Sequence, residues 1–112
     1  MNKLYGEPET RRLKNRERLS DEMYRAPQIF AEGGEWPGDW QGRALLALAC
    51  HYKMAPTQEE RDSVYLQANE ILRQLPEYTN IGGYFGDTFD ENNANEQQLT
   101  GNSWFLRGLC MW

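Results

Sequence analysis

Aromatic rings set among glycines and polar residues are the chemically suggestive feature of this chain. Trp36 and Trp40 bracket W-P-G-D-W, Tyr84 and Phe85 follow Gly82-Gly83, and Trp104 follows Q-Q-L-T-G-N-S. Flat aromatic faces stack on apolar C–H surfaces, while Asp, Asn and Gln offer the acceptors and donors that hydroxyl groups need. Trp36, Asp39, Trp40, Tyr84, Gln97, Gln98, Asn102 and Trp104 therefore form a candidate carbohydrate-binding set. Trp40 and Trp104 equally suit packing at helix starts. Trp36, in a Gly-Pro loop, suits the wall of a cleft.

Other chemistries find less support. Glycoside hydrolysis needs two carboxyl groups across a sugar or a substitute nucleophile. Asp39, Asp87 and Glu96 lie near the aromatic loops, but no motif marks any of them as catalytic. The acids Asp87, Asp90 and Glu91 with Asn92 and Asn95 evoke a calcium loop. Counted from Asp90, however, the sixth and twelfth positions are Asn95 and Gly101, where an EF-hand needs Gly and Glu. Cys50 and His51 are helix neighbours, about 100° apart, and do not face each other. Two cysteines without a Cys-x-x-Cys spacing and a single His suggest no metal site. Both cysteines, in apolar runs, are expected to be buried free thiols.

The formal charge is −5, and 39% of the 112 residues are hydrophobic. The basic run Arg11, Arg12, Lys14, Arg16, Arg18 is interleaved with Glu9 and Glu17 and reads as a solvated helix face. Nucleic acid is not an expected partner. No long apolar run follows the first basic residues, so no leader is expected and a cytoplasmic location is favoured. The last residues, W-F-L-R-G-L-C-M-W, form an apolar helical run without a Gly cap, Pro or polar tail. They lead us to expect the front piece of a longer protein.

The elements that must hold these residues are helical. After an irregular start, Pro8 suits a first turn, and a helix is expected over about 9–18 with Leu13 as its main apolar contact. Ser20 suggests a second cap, and Ile29 and Phe30 should tuck beneath the next helix. That helix, about 39–54, is apolar almost all round, where a one-faced helix shows a stripe about three-sevenths wide. Asp39 is its expected N-cap, other elements should surround it, and it is too short to cross a bilayer. Pro56 ends it. Thr57-x-x-Glu60 is a capping-box pattern for a one-faced helix over 57–75, carrying Val64, Ala68, Ile71, Leu72 and Leu75. A long connection over 76–95 follows, whose Tyr84, Phe85 and Phe89 argue for order. The last helix should begin near Asn95 or Gly101.

The pairs Trp40/Trp104, Arg43/Arg107 and Leu45/Leu109 are each 64 positions apart, and Ala44 and Gly108 match in smallness. Such an echo suggests repeated inner/outer hairpins, as in an α/α toroid or solenoid. The ordered segments W-P-G-D-W-Q-G-R-A-L-L-A-L-A, E-I-L-R-Q-L, I-G-G-Y-F-G and N-E-Q-Q-L-T-G-N-S-W-F-L-R-G-L resemble, over residues 12–112, the front of a glycoside hydrolase family 127-type catalytic domain, the β-L-arabinofuranosidase-like group.

That resemblance implies an all-α fold, a partial (α/α)6 barrel filling residues 1–112. It also implies hydrolysis of arabinofuranosides or related plant-type glycans with retained configuration. The family's nucleophile is a cysteine thiolate held by zinc with further Cys and Glu ligands, and a Glu serves as acid/base. These lie in the later half of the barrel, and Cys50 and Cys110 do not match them. No catalytic residue, metal ligand or cofactor is therefore assigned to this chain, and zinc is implied only for a longer protein. What carries over is the sugar-binding wall, Glu96 to Trp104. Here Thr100-Gly101-Asn102-Ser103 stands where many members have a His-Glu pair, which changes the expected specificity. Two alternatives remain. One is another α/α-barrel sugar enzyme, an epimerase or unsaturated uronyl hydrolase. The other is a non-catalytic helical-repeat interaction module.

Overall fold

A computed structural model describes residues 2–31, 36–88 and 95–112, with side chains from residue 8 onward. All regular structure among them is helical: α1 (Asn2–Leu19), two single 3-10 turns at Glu22–Tyr24 and Gln28–Phe30, α2 (Asp39–Met54), α3 (Gln58–Tyr78) and α4 (Glu96–Met111). The fold is all-α, as expected. None of these helices is long and apolar enough to cross a membrane.

The helices form two layers. In the first, α2 and α4 run parallel. Gly38 lies against Gly101, Gly42 against Trp104 and Phe105, and Leu45 against Gly108, so the contact keeps one register along both helices. A Cβ on Gly42 or Gly108 would fall well inside 3.0 Å of the facing backbone. Only glycine permits this approach. In the second layer, α1 and α3 run parallel, joined mostly by long polar side chains. Arg12 Nη1 donates to both carboxylate oxygens of Glu60 at 2.9 and 3.0 Å. Arg16 donates to Gln67 at 3.1 Å and to Ser63 at 3.0 Å. Gln67 Nε2, fully buried, donates to the Leu19 carbonyl at 2.6 Å and closes the end of α1.

The core lies between the layers: Leu19, Ile29, Ala44, Leu45, Leu48, Val64, Ala68 and Ile71. Ile29 is completely buried and Phe30 packs against the core, as their place before α2 suggested. The bounds of α2 are those read from the sequence. Thr57 Oγ1 accepts from Glu60 N at 3.2 Å and caps α3. Val64, Ala68 and Ile71 form the buried face of α3, with Leu72 packed beside it.

Several expectations are overturned. α1 begins at Asn2 and passes through Pro8, and α3 passes through Pro76 to Tyr78. A proline removes one intrahelical bond and can kink a helix without ending it, and Tyr78 is held beyond it by stacking on Phe30 at 4.1 Å. Leu13 is 51% exposed, so α1 is fastened by Leu19 and by Arg12 and Arg16, which are half-buried against α3. Asp21, not Ser20, caps the turn that follows, accepting from Met23 N at 3.1 Å. The N-cap of α2 is Gly38, in the left-handed region at φ 90°, rather than Asp39. Both cysteines are exposed rather than buried, Cys50 at the edge of the space between α1 and α2.

Candidate functional site

The N-termini of α2 and α4 lie at one end of the molecule, and the candidate residues gather there. The segment Trp36–Pro37 crosses α4 at Gly101, where any side chain would collide with the Pro37 carbonyl. This crossing holds Trp36 on the rim, 41% exposed. Asp39, in the first turn of α2, points its carboxylate at Arg43, whose Nε donates at 3.0 Å. The Arg43 guanidinium carbon lies 4.0 Å from the centre of the Trp104 ring, and that of Arg107 lies 5.3 Å from it. Asp39, Arg43, Trp104 and Arg107 thus form one connected chain bridging α2 and α4. Arg43 stands one helical turn after Asp39, and Arg107 stands three residues after Trp104, spacings that bring helix side chains together.

The loop after α3 is built by its own polar groups. Asn80 Oδ1 accepts from Gly82 N at 2.8 Å, and its amide donates to the Gly86 carbonyl at 2.9 Å. Gly83 and Gly86 supply the positive φ of this turn. Tyr84 lies half-buried within it. Phe85 is buried edge-on to Phe105, with centroids 4.8 Å apart. The loop is then clamped onto α4. Asn102 Oδ1 accepts from Phe85 N at 2.8 Å and its amide donates to the Phe85 carbonyl at 3.0 Å. Gln98, 5% exposed, donates to the Phe85 and Asp87 carbonyls at 2.9 and 2.6 Å. Asn95 caps α4, its Oδ1 accepting from Gln97 N and Gln98 N. The Gln97 side chain is exposed on the first turn. Phe89, Asp90, Glu91 and Asn92 lie outside the described residues.

The structure thus separates the candidate set. Trp36, Asp39, Trp104 and Gln97 stand at the rim, while Gln98 and Asn102 spend their amides on the loop. Trp40 faces the opposite side of α2 and stacks on Tyr24, centroids 5.2 Å apart and planes 9° from parallel. Its indole N–H is buried without an acceptor among the described residues. Trp40 lines a cleft of about 470 Å³ between α1 and α2, with Arg18, Arg43, Ala47, Cys50 and Met54. His51 lines it too, 5% exposed, its Nδ1 buried without a partner. Burial chiefly, helped by Arg16 and Arg12 and opposed by Glu60, holds the His51 pKa below the usual imidazole value.

Sequence reasoning missed Arg43 and Arg107 as site residues and noted them only within the echo. Their spacings from Asp39 and Trp104 were the available signal. Among the described residues no three His, Cys, Asp or Glu side chains gather as a metal set. The zinc centre that the resemblance implies would belong to a longer protein, and no step is derived through one. No family model, curated protein or solved structure matches this chain.

Proposed function

We propose that the chain supplies two outer/inner helical hairpins of an α/α toroid of the glycoside hydrolase 127 type, and that the shared N-terminal end of α2 and α4 forms one wall of a carbohydrate-binding mouth. The observation that carries the reading is the parallel, in-register packing of α2 and α4, with Trp36, Asp39, Arg43 and Trp104 along one rim. In such a mouth Trp36 would stack on the sugar's apolar face. Asp39 and Gln97 would bind hydroxyls. Gln98 and Asn102 would position the loop. Arg43 already covers a face of Trp104, so Trp104 is a weaker stacking platform than Trp36. No sequence motif assigns a nucleophile or an acid/base residue to this chain, so this reading gives it binding and positioning rather than bond cleavage.

The arginines favour one alternative. Arg43 and Arg107 beside Trp104 would suit the carboxylate of a uronic acid, since guanidinium groups bind carboxylates with strong, directed hydrogen bonds. A single experiment tests both. The chain is titrated with methyl arabinofuranoside and, separately, with glucuronate, while the indole N–H signals are followed by NMR. Saturable shifts at Trp36 and Trp104 in the millimolar range are expected, corresponding to about −4 kcal/mol. Trp36→Ala should weaken the arabinoside by about tenfold. Preference for glucuronate, lost in Arg107→Gln, would favour the uronyl reading. Shifts with neither sugar would overturn both.

A further inference from the structure

We propose that a recess of about 200 Å³ beside Trp36, lined by Gln41 and a wall of aromatic rings, binds a single uncharged ring bearing hydroxyl groups, one sugar unit, with Gln41 Oε1 accepting from one hydroxyl. The recess follows from the described geometry alone. The choice of a sugar among such rings rests on the reading above.

Three segments build the wall. Phe30 comes from the second 3-10 turn, Tyr78 from the end of α3 and Phe85 from the loop that follows. The Phe30 ring centre lies 4.1 Å from that of Tyr78 and 6.4 Å from that of Phe85, and its plane is within 17° of both. Pro37, next to Trp36, adds an apolar ring, while Gly38 and Gly86 contribute backbone only. Among the described residues no charged side chain lines the recess. An ion would lose its water here without gaining a partner, so the space suits an uncharged ligand.

Gln41 supplies the polar group. It stands in the first turn of α2 and is 3% exposed. Its Nε2 donates to the Ile29 carbonyl at 2.8 Å. A carbonyl only accepts, so the amide cannot be turned the other way, and Oε1 is the end left over. That oxygen is buried without a partner among the described residues. A buried acceptor left unpaired is unfavourable, and only an incoming O–H or N–H satisfies it. One lone acceptor beside aromatic faces is what a hydroxylated ring requires, since its C–H surface packs on the rings and its hydroxyl donates to the oxygen. The size agrees. The recess is smaller than the roughly 300 Å³ at which pockets for drug-sized ligands begin. It equals about seven waters' share of liquid volume, room for one ring and not for a chain of them.

The test follows the isotope-labelled full chain by NMR during titration with methyl arabinofuranoside. The Gln41 side-chain amide signals should shift saturably, with nuclear Overhauser contacts between the sugar and the Tyr78 ring. Tetrahydrofuran, the same ring without hydroxyls, should act at least tenfold more weakly. Ala31→Phe plugs the recess from its edge. Ala31 is exposed and has right-handed helical backbone at φ −80°, so circular dichroism should report unchanged folding. In that variant the Gln41 response should weaken more than tenfold. Absence of a saturable response at Gln41 would overturn the proposal. So would an equal response to tetrahydrofuran, which would make the recess a plain apolar hollow, or a Gln41 response that survives Ala31→Phe. The Trp36 indole signal judges the functional reading separately. Shifts at Trp36 with none at Gln41 would overturn the recess alone, and shifts at Gln41 with none at Trp36 would support the recess and overturn Trp36 as the sugar platform.

Discussion

Replacing Gly42 by alanine sets two effects of known sign against each other. In a solvated helix, alanine is favoured over glycine by about 1 kcal/mol. Here the added Cβ would lie well inside 3.0 Å of the Trp104 carbonyl and the Phe105 nitrogen. The obstacle is backbone, so no side-chain rotation relieves it. The helices must part by about 1 Å to restore ordinary carbon contacts, and a gap of that size forfeits a quarter to a half of each neighbouring dispersion contact. Overpacking of this kind costs about 1–3 kcal/mol, with the loosened contacts around Leu45 and Gly108 adding to it. The net expectation after the propensity gain is a loss of about 1–3 kcal/mol. For a domain near this size that lowers Tm by roughly 5–15 °C. Thermal unfolding of Gly42→Ala, Gly108→Ala and the double variant is the assay. The double variant should fall short of the summed losses, because the first separation makes room for the second Cβ. A Gly42→Ala protein that melts higher than the parent would show propensity winning, and would refute the close parallel packing on which the layer depends.

Two other outcomes are expected. Gln98→Leu removes both side-chain donors to the Phe85 and Asp87 carbonyls, a loss of about 1–3 kcal/mol for partners left unpaired; hydrogen exchange should quicken at Tyr84 and Phe85, and unchanged protection there would sink the clamp. The His51 pKa is held down in the folded chain, so the unfolded chain takes up the proton first as pH falls below about 6.5, the unperturbed imidazole value. Stability should therefore decline from pH 7 to 5, and His51→Gln should flatten that decline; an equal decline in both proteins would remove His51 as its cause.

What the sequence revealed and what it concealed divide along a physical line. Several local signals proved reliable: Pro56 after α2, the Thr57 cap of α3 and the start of α4 after Asn95 each depend on a few adjacent residues, although the equally local Pro8 start and Ser20 cap did not hold. Features set by distant contacts were misread. Arg12 and Arg16 looked like members of a solvated face, because nothing nearby in sequence announces Glu60, Ser63 or Gln67. Pro76 looked like a terminator because the stacking of Tyr78 on Phe30 joins segments far apart in sequence. The cysteines looked buried because they sit in apolar runs, but apolar neighbours along a helix need not be neighbours in a core. Asp39 looked like a cap, yet the chain reverses through left-handed Gly38 and Asp39 engages Arg43.

The candidate site shows the same division at the level of single groups. Amide side chains and aromatic rings near glycines are the residues of a sugar site, and they are also the residues of a loop fastened to a helix. Residue type does not separate the two uses, but hydrogen-bond saturation does. Asn102 accepts from one loop amide and donates to the Phe85 carbonyl, and Gln98 donates to two loop carbonyls, so neither amide offers those donors to a ligand without releasing the loop. The ring of Trp104 is partly spent on Arg43 in the same sense. Trp36 stands differently, held by its backbone where Gly101 lets the chain cross and 41% exposed. The glycines that admit close helix and loop packing thus also determine which aromatic remains available, and Trp36 is the residue on which the carbohydrate reading stands or falls.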